Sequence, residues 1–100
     1  MALQIIQNAG VLEIKGDLTA QNTNSLKNYF DALFVRSSFI MISLNEVNDM
    51  DKACFNLLMD FYQKAVEKNK VFYIINECNL KVAHWFQSEK KDFLLQSRAA

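Results

Sequence analysis

The residues best suited to support chemistry lie together between Asn48 and Cys54, where polar residues join an apolar segment to a helical pattern. A thiol at a helix N-terminus near a lysine can have a lowered pKa and react as a nucleophile, and Cys54 next to Lys52 fits that description. Cys54 also shares the spacing of the apolar residues that follow it, which indicates a small buried core residue. Asp49 and Asp51 are interpreted as a turn residue and a helix cap.

No second chemical motif supports an active site. His84 is the single histidine, its neighbours supply no carboxylate or nucleophile, and we interpret it as a surface residue. Two cysteines and one histidine cannot complete a tetrahedral zinc site without a carboxylate. The chain contains only two glycines, Gly10 and Gly16, which excludes Gly-rich phosphate-binding loops. We therefore expect no enzymatic activity, no cofactor and no metal.

Length and composition limit the number of domains, the classes of partner and the cellular location that we expect. One hundred residues predict a single domain over residues 1–100. Eleven basic residues balance eleven acidic ones, so there is no electrostatic argument for binding nucleic acid. No apolar run approaches the roughly 20 residues of a membrane-spanning helix, and the N-terminus does not resemble a signal peptide. Cys54 and Cys78 are expected to be free thiols, and we expect a cytoplasmic protein.

The elements that would position the segment between Asn48 and Cys54 begin with a hairpin. Residues 3–7 and 11–15 read as two strands joined by a turn at residues 8–10, and residues 16–19 are expected to break the second strand. A helix follows, with Leu26, Tyr29, Phe30, Leu33 and Phe34 on its apolar face. Residues 39–44 are nearly all apolar, which predicts a central strand covered on both faces.

The second half of the chain alternates helices and strands. Asp51 is expected to cap a helix that runs to about Lys68, and residues 71–75 form another apolar strand. Asn79 is a possible cap for a third helix over residues 80–87. Residues 93–96 fit either a last edge strand or a helical tail. The predicted α/β fold is an N-terminal β-hairpin followed by β-α-β-α-β-α, with a mixed, mostly parallel sheet and the helices largely on one face.

The second helix carries two apolar stripes. The first stripe consists of Cys54, Leu57, Leu58, Phe61 and Ala65, and it is sufficient to cover one sheet face. The second consists of Phe55, Met59, Tyr62 and Val66. This second stripe either packs against a neighbouring helix or forms an exposed patch for a partner, because Met and aromatic residues are common at interfaces.

The element order and several short motifs resemble the STAS domain family, the fold of bacterial anti-sigma-factor antagonists. Residues 16–19, Gly-Asp-Leu-Thr, resemble the family's Gly-Glu-Leu-Asp opening, and residues 44–47, Leu-Asn-Glu-Val, resemble the end of its third strand and the turn after it. Asp51 matches the Asp of the family's Asp-Ser-Ser-Gly loop. Residues 52–54, Lys-Ala-Cys, replace the Ser-Ser-Gly part, which includes the serine that is phosphorylated in the family.

This resemblance implies a non-enzymatic protein-interaction domain without the usual phosphorylation switch. Ala53 occupies the phosphorylation-equivalent position and cannot accept a phosphoryl group. The predicted partner-binding residues are Asn48, Asp49, Met50, Asp51, Lys52, Ala53, Phe55, Met59 and Tyr62. The implied partner is an anti-sigma factor with a kinase-like fold. A STAS subunit that binds the ATPase of a phospholipid-transport ABC complex, and a small-molecule or nucleotide sensor, are the alternatives, and a homodimer is possible.

Overall fold

The architecture is a hairpin followed by alternating helices and strands. It is described by a computed structural model that covers residues 3–97. The strands are β1 (Gln4–Asn8), β2 (Val11–Leu18), β3 (Phe39–Ser43), β4 (Val47–Met50), β5 (Val71–Ile75) and β6 (Leu95–Gln96). The helices are α1 (Thr23–Arg36), α2 (Lys52–Glu67) and α3 (Leu80–Ser88), with short 3-10 turns at Ala20–Asn22 and Asp92–Leu94.

The strands form one mixed sheet in the order β1-β2-β3-β5-β6, and β4 pairs with the C-terminal part of β2. β1 is antiparallel to β2, and the other pairings are parallel. The predicted parallel pairing of the second and third strands is confirmed, because Leu12 lies opposite Ile42. Helical connections allow this pairing, since parallel neighbours need a long crossover.

All three helices pack against one face of the sheet. Phe30 of α1, Leu58 of α2 and Phe86 of α3 are fully buried in one core cluster together with Ile14 and Ile42 of the sheet. Helices on one side are expected where successive crossovers have the same hand. The mixed sheet with its helices on one face is the predicted fold.

The opposite face of the sheet is open, which contradicts the prediction that residues 39–44 are covered on both faces. Phe39 of β3 is 58% exposed and Tyr73 of β5 is 45% exposed. Their rings pack edge to face, with centroids 5.9 Å apart. Val11 and Ile75 are nevertheless buried, although neither belongs to the core cluster under the helices.

The predicted break at residues 16–19 is wrong, because β2 continues to Leu18. Gly16 has a φ of 102°, which an L-residue rarely adopts. The register between β2 and β4 shifts between Gly16 and Asp17, so the strand bends and continues pairing. The polar segment after β3 was expected to be a loop, but its second half is strand β4.

The C-terminal segment contains both of the alternatives that the sequence left open. Asp92–Leu94 forms a single 3-10 turn, and Leu95–Gln96 forms a short parallel strand beside β5. The Leu94 side chain is buried and belongs to the core cluster.

Candidate functional site

Asp51 fixes the junction between β4 and α2. Its Oδ1 accepts a hydrogen bond from the Cys54 backbone N–H at 3.1 Å, which confirms the predicted helix cap. Its Oδ2 accepts a second bond from the Ala20 N–H at 2.7 Å. Its own N–H donates to the Leu18 carbonyl at 2.9 Å. One residue therefore ties the end of β2 to the start of α2.

Four of the predicted site residues form an exposed surface at this junction: Asn48, Asp49, Lys52 and Ala53. Asn48 donates from Nδ2 to Asp17 Oδ1 at 3.1 Å. Lys52 Nζ lies 2.8 Å from Glu89 Oε2 at the end of α3. The surface thus combines groups from β2, β4, α2 and the end of α3. It presents both charges and hydrogen-bonding groups.

Met50 and Phe55, which are also among the predicted partner-binding residues, are buried and do not belong to that surface. Phe55 is 2% exposed because it stacks on Trp85 at 5.9 Å and meets Phe86 edge to face at 5.0 Å. Met50 is likewise buried in the core. The helix-packing interpretation of the second stripe therefore holds at its N-terminal end.

The rest of the second stripe is only partly covered. Met59 and Tyr62 are half-buried against the core, and Val66 is exposed. Tyr62 lies about 15 Å along the helix axis from Lys52, at 1.5 Å per residue. It lines a groove of about 260 Å³ that Val66 and Phe93 also border. The predicted site residues therefore divide between the junction and this more distant groove.

Cys54 is a core residue rather than a reactive thiol. Its side chain is completely buried, and its Sγ lies 3.2 Å from the Thr19 carbonyl oxygen. Burial raises the pKa of Cys54 to about 11, and the negative charge of Asp51 adds to the effect. Its place in the first helical turn does not compensate for this loss of hydration. Cys78 is exposed, and His84 is exposed as predicted.

The structure also shows a partly buried polar connection, made by Asn79, that the sequence does not predict. Asn79 caps α3 by accepting from the Val82 N–H at 3.2 Å. Its Nδ2 donates to the carbonyls of Leu44 at 3.1 Å and Val47 at 2.7 Å. The preference of Asn for caps indicated the first role, but only the fold brings the β3–β4 turn within reach of its amide.

Within residues 3–97, no group of three or more His, Cys, Asp or Glu side chains is placed to hold a metal ion. No helix in the described part of the chain has the length and apolar character needed to cross a membrane. Two grooves, of about 260 and 300 Å³, lie away from the junction; Tyr73 and Gln96 line both of them.

A family model for the STAS domain matches residues 1–97. The chain belongs to the STAS domain family. Among curated proteins, none matches the sequence. The expectation drawn from the short motifs around Asp51 and the element order is thereby confirmed at the level of the family.

Solved structures share the fold of this STAS domain at low sequence identity. The anti-sigma factor antagonist SpoIIAA in its unphosphorylated form superimposes with a TM-score of 0.76 at 13% identity, covering 98% of this chain and 89% of the other. An anti-sigma factor antagonist from Mycobacterium paratuberculosis gives 0.78 at 15% identity, with 99% and 86% covered. The phosphorylated form of SpoIIAA, described as a Bacillus cell fate determinant, gives 0.71 at 12% identity, with 98% and 92% covered.

The first turn of α2 in this STAS domain contains no hydroxyl group. Lys52, Ala53 and Cys54 are its first three residues, and Asp51 caps it. Lys52 and Ala53 face solvent, whereas Cys54 points into the core. None of these three side chains carries a hydroxyl that could accept a phosphoryl group.

Proposed function

We propose that this chain is a protein-interaction domain of the anti-sigma-factor-antagonist type whose junction surface docks a partner without control by serine phosphorylation. The observation that carries the proposal is the exposed start of α2, where Asp51 keeps its capping role while Lys52 and Ala53 replace the serines. The domain acts as a binding module, not as an enzyme, in the cytoplasm.

The proposed partner is an anti-sigma factor with a kinase-like fold. The solved structures that share this fold are anti-sigma factor antagonists, which supports that class of partner. The junction offers Lys52 and Asp49 as charged contacts and Asn48 as a hydrogen-bonding contact, all of them exposed. Because the chain has no net charge, binding would depend on these local contacts and not on long-range attraction.

The absence of a switch can be tested directly. Incubation with a serine kinase that phosphorylates ordinary antagonists should leave residues 50–56 unmodified, as checked by mass spectrometry. The Ala53→Ser variant provides the matched control, because its hydroxyl would lie at the exposed start of α2. Loss of partner binding after the kinase phosphorylates any serine of the unaltered chain would contradict the proposal.

The docking surface can be tested by charge reversal at the two ends of the same helix. Lys52→Glu should weaken binding of a purified kinase-like anti-sigma factor by more than 1 kcal/mol in calorimetry, the usual threshold for a useful contact. Lys68→Glu is the matched control, since Lys68 is exposed about 24 Å away along the helix. Equal affinities for the two variants would exclude the junction as the docking surface.

The half-buried part of the second stripe has its own test. Met59→Asp and Tyr62→Asp should leave the domain folded and weaken partner binding if this stripe extends the docking surface. Phe55→Asp should unfold the domain, because it places an unpaired charge between α2 and α3. If Met59→Asp binds as well as the unaltered chain, the docking surface is restricted to residues 48–53.

A further inference from the structure

Strand β1 is an unprotected edge of the sheet. It is the outermost strand of the described sheet, next to β2 only. Its five residues, Gln4–Asn8, include no charge and no proline, and its register with β2 is continuous. Proteins usually protect sheet edges with charges, prolines, bulges or very short strands. The opposite edge is protected in this way, because β6 has only two residues.

The turn after β1 determines which backbone groups face outward. Ala9 and Gly10 have φ values of 52° and 82°, the positive pair typical of a two-residue type I′ hairpin turn. Asn8 and Val11 flank this turn and lie opposite each other. Such a flanking pair exchanges both backbone hydrogen bonds, and bonded pairs then alternate with non-bonded pairs.

In this alternation Asn8, Ile6 and Gln4 direct their backbone N–H and C=O groups toward β2. Ile5 and Gln7 therefore direct their N–H and C=O groups to the free edge, as Leu3 does in line with them. A row of outward donors and acceptors on a strand can be satisfied by another extended strand. The geometry of this edge thus fits an extended strand as its occupant.

We propose that β1 pairs antiparallel with β1 of a second copy of the chain, about a two-fold axis that passes beside Ile5. In this register Ile5 lies opposite Ile5 of the second copy, and Leu3 lies opposite Gln7. Both sets of outward backbone groups then exchange hydrogen bonds across the axis. The two sheets join into one continuous sheet, and their helices lie on the same side.

The side chains favour a second copy over an unrelated strand. A two-fold interface brings the same short strand of both copies together, so charges of one sign on that strand would repel each other. Gln4–Asn8 has none. Ile5 lies opposite Ile14 on the helix-covered face and is already half-buried against the core. Contact between the two Ile5 side chains would extend that core across the axis.

The oligomeric state tests this proposal, which does not depend on the proposed function. The unaltered chain should sediment at twice the monomer mass in a concentration-dependent manner. Gln7→Pro removes one outward N–H while leaving the β1–β2 bonds in place, and it should weaken association at least tenfold. Gln7→Ala is the matched control, because it keeps the N–H and should still dimerise. A chain that remains monomeric at millimolar concentration, or equal association of the two variants, would overturn the proposal.

Cysteine crosslinking tests the register. In a Cys78→Ser background, Ile5→Cys should form a disulfide-linked dimer on mild oxidation, because facing residues of a bonded pair lie about 5.5 Å apart at Cα. Gln7→Cys should not, since its two copies would be about 14 Å apart along the strand. Preferential crosslinking through Gln7→Cys, or no crosslinking through Ile5→Cys, would show that this pairing is wrong.

Discussion

At the scale of single residues, Asp51 contributes to the fold and to the site at once. Its two carboxylate oxygens hold different segments, the first turn of α2 and the backbone of Ala20. The surface residues beside it, Lys52 and Ala53, owe their position to this clamp. The cap does not depend on a hydroxyl residue after it, because Lys52, Ala53 and Cys54 follow Asp51.

Removal of the Asp51 carboxylate should destabilise the domain measurably. Asp51→Ala should lower the free energy of unfolding by about 1–2 kcal/mol, the usual cost of losing a helix cap. Urea denaturation followed by circular dichroism measures this change. Asp60→Ala on the exposed side of α2 is the control and should change stability by less than about 0.5 kcal/mol. Equal effects of the two substitutions would exclude a structural role for the clamp.

The two cysteines should differ sharply in reactivity. With its pKa raised to about 11, Cys54 is a thiolate in about one molecule in a thousand at about pH 8. Burial disfavours the charged form, so its reactivity should increase as the pH approaches that pKa. A chromogenic disulfide reagent should modify exposed Cys78 rapidly in the folded protein. Cys78→Ser should remove this fast phase, and a fast phase that remained would contradict the buried state of Cys54.

At the scale of elements, the sequence predicted the helices and the apolar strands because their periodic patterns extend over many residues. The helix caps Asp51 and Asn79 were also recognisable from residue type and position. Strand β4 was missed because only Val47 and Met50 are buried at its two ends, with polar residues between them. That pattern does not alternate, and its pairing with β2 depends on the bend at Gly16, which only the folded chain shows.

The misplaced Phe55 has a similar cause. Helical periodicity shows that Phe55 lies on a second face of α2 but not what covers that face. The cover is Trp85, together with Phe86, about thirty residues later in the chain. Local patterns therefore identify which residues share a helix face, whereas the neighbour of that face depends on how the crossovers place α3.

The connection between α3 and the β3–β4 turn can be tested with a substitution that preserves the cap. Asp caps helices as well as Asn, so Asn79→Asp would be neutral if capping were its only role. The Asp cannot donate to the Leu44 and Val47 carbonyls, and its charge would face both oxygens. We expect a loss of about 2 kcal/mol in unfolding free energy. Asn56→Asp on the exposed face of α2 is the control, and a neutral Asn79→Asp would show that the amide donors contribute nothing.

At the scale of the whole molecule, the buried core and the exposed groups proposed for binding occupy different regions. The centre of the sheet is covered by all three helices, and Ile42 and Ile74 are almost completely buried there. The open face, the β1 edge and the β4–α2 junction carry the exposed groups. A partner at the junction and a second copy at the edge could therefore bind without disturbing the central core.

This separation predicts an order of hydrogen exchange along the sheet. Backbone amides of the central strand β3 should exchange only through global unfolding, because β2 and β5 flank it on both sides. The two-residue edge strand β6 should exchange faster by local fraying. Exchange measured by mass spectrometry on short peptides resolves these strands. Protection of β6 equal to that of β3 would show that the sheet opens only as one unit.

If β1 pairs with a second copy, the outward amides of Ile5 and Gln7 should become more protected as protein concentration rises, while the β3 amides should not change.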